Sequence, residues 1–136
     1  MFRIDTGSGV PIYRQLVEQV RRDLMLGRLQ PDDQLPSVKE VVDSLSVNPN
    51  TVVKAFAELE HQGLVVRRQG VGTFVASSPS VTSMSASPRL LGSLARWTER
   101  ARQEGLSGEQ IRMLLEVVLD ESAESRDEGR TAGGVA

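Results

Sequence analysis

Apolar residues recur at helical spacing along much of this 136-residue chain, and in one place they gather into short strand-like runs. Between Pro11 and Leu26, the residues Ile12, Leu16, Val20 and Leu24 share one side of a helix that Gly27 ends. Residues 1 to 9 carry no such period and read as a loose arm. Val38, Val41, Val42 and Leu45 mark a second, shorter helix. Its start is signalled by Ser37 followed three residues later by Glu40, the spacing of a reciprocal capping box. Pro36 keeps Leu35 extended just before it. After a tight break at Ser46-Val47, Asn48 is a favourable N-cap, and Pro49 suits a first helical position that needs no amide hydrogen. Val52, Ala55, Phe56 and Leu59 then give a third helix its buried face, ending near Gly63.

The pattern changes period after Gly63. Leu64, Val65 and Val66 read as a strand, Gln69 to Gly72 as a turn, and Thr73 to Ala76 as the return strand. Beyond this hairpin, Ser77 to Ser87 has a serine-rich composition suited to a linker. Ser87-Pro88 opens another helix whose apolar side is Leu90, Leu91, Leu94, Trp97 and Ala101; it ends at Gly105, with Leu106 folding back. Ser107 and Gln110 form a further capping box ahead of Ile111, Leu114, Leu115, Val118 and Leu119. From Glu121 the chain turns polar and Gly-rich, the composition of a disordered tail. The expected architecture is α+β and mostly α. It comprises a winged helix-turn-helix over 1–76, a linker over 77–87, a two-helix dimerisation segment over 88–122 and a disordered tail over 123–136.

Burying Val52, Phe56 and Leu59 leaves Asn50, Val53, Lys54 and Ala57 outside on the third helix, with Asn48 and Thr51 at its start. Asparagine pairs two-pronged with adenine, lysine and threonine hold phosphates, and valine can touch a thymine methyl. An ordinary capped surface helix would look similar, so the hairpin shifts the balance. Arg67 and Arg68 stand at its base with no acidic neighbour in sequence, and Gly70 and Gly72 permit positive backbone angles at its tip. Such a wing can lie along a minor groove while arginines grip phosphates.

These motifs resemble the DNA-binding domain of GntR-family transcriptional regulators. PIYRQLVEQVRRDLMLGRLQPDDQLPSVKEV is similar to the family's first helix, its connector and the start of its second helix. NPNTVVKAFAELEHQGLV is similar to its recognition helix, and RRQGVGTFV to its wing. The short remainder resembles the YtrA-type branch, in which a small helical segment replaces a large effector-binding domain. The resemblance implies DNA contacts from Ser37, Lys39, Asn48, Asn50, Thr51, Lys54, Arg67, Arg68, Gln69 and Gly70. Lys39 stands where many members carry a base-reading arginine, and Pro49 and Val53 take places where members with arginine-rich recognition helices often use arginine, so the resemblance does not give the operator sequence. It also places Tyr13 and Arg14 near a phosphate, although Tyr13 can equally serve packing.

Composition narrows the remaining classes. No cysteine is present, which excludes disulfides and thiolate metal sites and fits a reducing cytoplasm. No apolar run approaches membrane-spanning length. The formal charge of −2 is not that of a generic polyanion binder. Residues 1 to 78 carry nine Lys/Arg against nine Asp/Glu, and residues 79 to 136 carry seven against nine. Affinity for phosphate depends on local clustering, with Lys39, Lys54, Arg67 and Arg68 expected on one face and Asp32, Asp33, Glu58 and Glu60 elsewhere.

An enzyme finds little support here: His61 is the single histidine, and no nucleophile triad, metal-ligand cluster or phosphate-cradling loop is evident. No cofactor is expected. A winged helix that binds only protein is the other alternative. The C-terminal faces suit a homodimer interface built from Leu90, Leu91, Leu94, Trp97, Ile111, Leu114, Leu115 and Val118, the alternative being that they pack back onto the same subunit's N-terminal domain. They are too small to enclose a metabolite within one subunit, which leaves the space between subunits beside Trp97 for an unknown small-molecule effector. The expected partner is a palindromic duplex operator, bound for repression.

Overall fold

Leu16, Val20, Val41, Val52, Leu59, Val65 and Val75 are the largest fully buried side chains in the computed structural model, which describes residues 1–133. They come from three helices and a hairpin, so the apolar stripes read from the sequence meet in one core. Helix α1 (Ile12–Met25) and α3 (Pro49–His61) pack along each other, and α2 (Val38–Leu45) packs on α3. Strands β1 (Val65–Arg68) and β2 (Gly72–Val75) pair antiparallel, with Val65 opposite Val75 and Arg68 opposite Gly72. A short helix α4 (Pro79–Thr82) completes the first compact unit, Met1–Ala86. The second unit starts at Ser87 and holds α5 (Pro88–Gln103) and α6 (Gly108–Gly133).

The helix ends follow the predicted chemistry. Ser37 Oγ accepts from the Glu40 amide at 3.1 Å, and Asn48 Oδ1 accepts from the Asn50 amide at 2.8 Å. At Ser107 the box closes in both directions: Ser107 Oγ accepts from the Gln110 amide, and Gln110 Oε1 accepts from that of Ser107. Gly63 and Gly105 both take positive φ, and the residue after each donates back to a carbonyl in the preceding turn, Leu64 to Leu59 and Leu106 to Ala101. At eight residues α2 is too short to persist alone, so its cap and the burial of Val41 against α3 hold it. It ends at Ser46, a non-glycine residue at φ 55°, which sets the tight break before Asn48.

Three expectations are corrected. The first nine residues are not a loose arm. Phe2 is only 8% exposed, and Ile4 packs against the core. Two glutamines one turn apart on α1 clamp this backbone. Gln15 accepts from the Asp5 amide and donates to the Asp5 and Val10 carbonyls, while Gln19 both accepts from and donates to the Arg3 backbone. Amphipathic periodicity cannot reveal a strap held mainly by side-chain-to-backbone bonds.

Second, the serine-rich stretch is not wholly a linker. Pro79 starts α4, Val81 is 3% exposed, Met84 packs on the core, and the Ala86 amide donates to the Met25 carbonyl at 2.9 Å. The unit boundary therefore falls near Ser87, ten residues beyond the expected end of the winged domain. A single apolar residue among serines suffices once a groove beside α1 receives it.

Third, the expected disordered tail over 123–136 is helical as far as Gly133, as a continuation of α6; its last three residues lie outside the described residues. In the second unit α5 and α6 contact each other, and Ala101 and Ile111 are buried.

Candidate nucleic-acid interface

The buried side of α3 dictates its free side. Val52, Ala55, Phe56 and Leu59 are all in the core, so Asn50, Val53, Lys54 and Ala57 are exposed opposite them. Thr51 lies at the flank, half-buried. Asn48 is exposed, but its Oδ1 is already engaged as the cap of α3. The likeness between Ser37 and Asn48 is close, because the Ser37 hydroxyl is likewise committed to a helix start. Lys39 is exposed in the first turn of α2. The start of α2 thus presents the Val38 and Lys39 amides beside polar side chains, an arrangement suited to phosphate. At α3 Pro49 has no amide hydrogen and the Asn50 and Thr51 amides are engaged by Asn48, so its start offers side chains only.

Lys54 does not lie free on this surface. Its ammonium sits 4.0 Å from the centroid of the Tyr13 ring, which belongs to the first turn of α1 and is half-buried against the core. The open question about Tyr13 is therefore answered in part: it packs, and it does so while stacking on a candidate contact residue.

The hairpin is more elaborate than two strands. The connector over residues 32–35 runs antiparallel beside β2. The Val75 amide donates to Asp33, the Asp32 amide to Val75 and the Leu35 amide to Thr73. Gln34 forms an isolated bridge with Phe74, and its Nε2 donates to the Val71 carbonyl at the tip. Gly72 has φ 143°, and a Cβ there would come within 2.6 Å of Gln34 Nε2, so glycine both turns the chain and admits this brace. Gly70 also has positive φ, in open space. Gln69 and Gly70 are exposed at the tip as expected.

Alternation along β1 separates the two arginines. Arg67 shares a face with Val65, whereas Arg68 shares the opposite face with Val66 and Phe74. The expectation that Arg68 stands clear of acidic residues fails. Its guanidinium is 3.5 Å from Asp32 and 4.4 Å from the centroid of the Phe74 ring. Asp32 is brought there by the connector pairing, which no sequence neighbour announces. Asp32, Gln34 and Phe74 are thus site residues that reading the sequence missed. Arg67 is exposed, and among the described residues it forms no ion pair.

In the second unit, Leu90, Leu91, Leu94, Leu114, Leu115 and Val118 are exposed, Trp97 is half-buried, and Leu119 is 66% exposed. Ile111, expected to face a partner, is 5% exposed within the single chain and is not among the side chains left for one. Among the described residues no helix is long and apolar enough to cross a membrane, and no group of acidic or histidine side chains has metal-binding proximity.

Residues 12–75 match the family described as bacterial regulatory proteins, gntR family. The HTH-type transcriptional repressor YtrA of Bacillus subtilis is 39% identical over 82 residues, covering 60% of this chain and 63% of that protein. The uncharacterized HTH-type transcriptional regulator YhcF of the same organism is 33% identical over 104 residues, 76% of this chain and 86% of that one. A solved structure described as YtrA from Sulfolobus acidocaldarius, a GntR-family transcription factor, is 31% identical with a TM-score of 0.52, covering 73% of this chain and 96% of the other. The chain therefore spans a little under two thirds of the first of these relatives and most of the other two.

Proposed function

The chain belongs to the GntR family of bacterial transcriptional regulators, and from that premise we propose that it binds a palindromic operator as a homodimer and acts as a repressor. In this reading α3 enters the major groove and the β1–β2 wing lies along the minor groove. One observation carries it: α3 buries every apolar residue of one face while Asn50 and Lys54 stand outward, beside two capped helix starts. Asn50 reads an adenine edge, with Lys39, Lys54, Thr51 and the amides at the start of α2 holding phosphates or guanine. Gln69 and Gly70 approach the minor groove, and Arg67 and Arg68 grip its phosphates. Ser37 and Asn48 act mainly by setting the helix starts from which these contacts are made.

Dimerisation is supported by the apolar faces of α5 and α6, where Leu90, Leu91, Leu94, Leu114, Leu115 and Val118 meet solvent in the single chain. A two-fold dimer would place its recognition helices about 34–36 Å apart, one turn of duplex, and so demand a near-palindromic site. The space between subunits beside Trp97 is the place for a small-molecule effector in this reading. The cytoplasm is the matching compartment, and no catalytic role or cofactor is proposed.

Selection of duplexes from a random-sequence pool by the wild-type chain, followed by footprinting of the enriched sequence, tests the function. A palindromic consensus protected over two half-sites is the expected result. No enrichment at low salt would overturn DNA binding, and a single protected half-site would overturn the dimer.

A further inference from the structure

The sequence left Tyr13 between a phosphate contact and core filling, and the structure packs it against the core with its ring also against Lys54. The distance from the Lys54 ammonium to the ring centroid is 4.0 Å. Among the described residues no carboxylate is paired with Lys54. Lys54 is exposed one helical turn beyond Asn50, on the same outward face of α3. Tyr13, by contrast, is half-buried and fixed by its packing against the core.

Resting on the DNA-binding reading above, the geometry points to Tyr13 as a positioning residue for sequence-dependent recognition. Its ring holds the Lys54 ammonium at a set place beside Asn50. A free lysine spreads its charge over many rotamers and serves any phosphate within reach. Stacked on a ring that the core immobilises, the same charge is localised before DNA arrives, so less side-chain freedom is lost on binding. The ring stacks on the ammonium while the lysine as a whole stays exposed. Charge is unchanged, so Tyr13 affects where Lys54 acts and not how many counterions binding releases.

Two kinds of measurement separate this from a purely structural role or a direct contact. In the free protein, proton NMR of the Lys54 ε-methylene is expected to show an upfield ring-current shift. The shift persists in Tyr13→Phe and disappears in Tyr13→Leu and Tyr13→Met. Binding is then measured on the duplex enriched by the wild type and on a scrambled duplex of the same composition. Tyr13→Leu should weaken the enriched duplex by about two- to fivefold, the range of an exposed cation–π contact, with little change on the scrambled one. Its salt slope should match the wild type, whereas Lys54→Ala should flatten the slope by about 0.9. Tyr13→Phe should bind like the wild type, and Tyr13→Leu in a Lys54→Ala background should cost nothing more.

Additive losses in the double variant would overturn the proposal, as would tighter binding by Tyr13→Leu or absence of the wild-type shift. Equal damage from Tyr13→Phe and Tyr13→Leu would assign the effect to a hydroxyl contact and also overturn it. Melting curves identify unfolding, and Tyr13→Met supplies a second non-aromatic variant if Tyr13→Leu does not fold. A wild-type chain that enriches no duplex would overturn the regulator reading itself, while the NMR shift would still report whether the pairing exists.

Discussion

Arg68 Nη2 lies 3.5 Å from Asp32 Oδ1, an ion pair that bridges the wing and the connector running beside it. Both side chains remain more than half exposed, so the pair contributes only about 0–1 kcal/mol to folding. Its larger consequence concerns DNA. A phosphate approaching Arg68 must displace a carboxylate that already occupies it, whereas Arg67 has no such competitor. Asp32→Asn should therefore strengthen binding to all duplexes by about two- to tenfold at low salt and leave the melting temperature almost unchanged, because the pair is surface-exposed. Arg67→Ala should weaken cognate and random DNA alike and reduce the salt slope by about 0.9, and Arg68→Ala should do so by less. Identical slopes for the two alanine variants would count against this division of roles.

Asn50 is exposed on α3 with its side chain free of the capping duty that occupies Asn48. Asn50→Ala should lose about 1–3 kcal/mol on the enriched duplex and little on random DNA, the signature of a base contact. Competition titrations at one fixed salt concentration read this directly, and equal losses on both duplexes would remove Asn50 from base readout.

Asn48 separates helix capping from DNA contact. Asn48→Ala should lower stability by about 1 kcal/mol, because the Asn50 amide loses its acceptor. Asn48→Asp keeps the acceptor and adds a negative charge at the start of α3. It should retain the wild-type melting temperature yet bind every duplex more weakly. Wild-type affinity in Asn48→Asp would place this helix start away from phosphate.

The apolar faces of α5 and α6 predict a quaternary response. Leu94 and Val118 are exposed in the single chain, so Leu94→Glu and Val118→Glu should not disturb its own folding. Sedimentation should show the wild type as a dimer and each variant shifted toward monomer. Both variants should lose affinity for a duplex with two half-sites far more than for one with a single half-site. A wild type that sediments as a monomer at all working concentrations would sink the dimer proposal.

Much of both units is legible in the sequence for a local reason. The faces of α1 and α3, the caps at Ser37, Asn48, Ser87 and Ser107, and the glycine ends at Gly63 and Gly105 each depend on residues within about one helical turn. The outward position of Asn50 and Lys54 follows from the burial of Val52, Phe56 and Leu59, so the candidate surface was readable too. The strap over residues 1–9 was not, since it is held by side-chain-to-backbone bonds from Gln15 and Gln19 of α1, which follow no apolar period. Val81 shows the same limit, because one apolar side chain among serines has no period.

Period and capping in the chain alone determined a helix-turn-helix with a wing, which face of α3 stays outside, and where most helices begin and end. Only the folded arrangement decided what the exposed cations touch. Lys54 meets Tyr13 across two helices, and Arg68 meets Asp32 because the connector aligns with β2. Those pairings join residues 41 and 36 positions apart, and their distances are set by how the core packs, a quantity that no local spacing encodes.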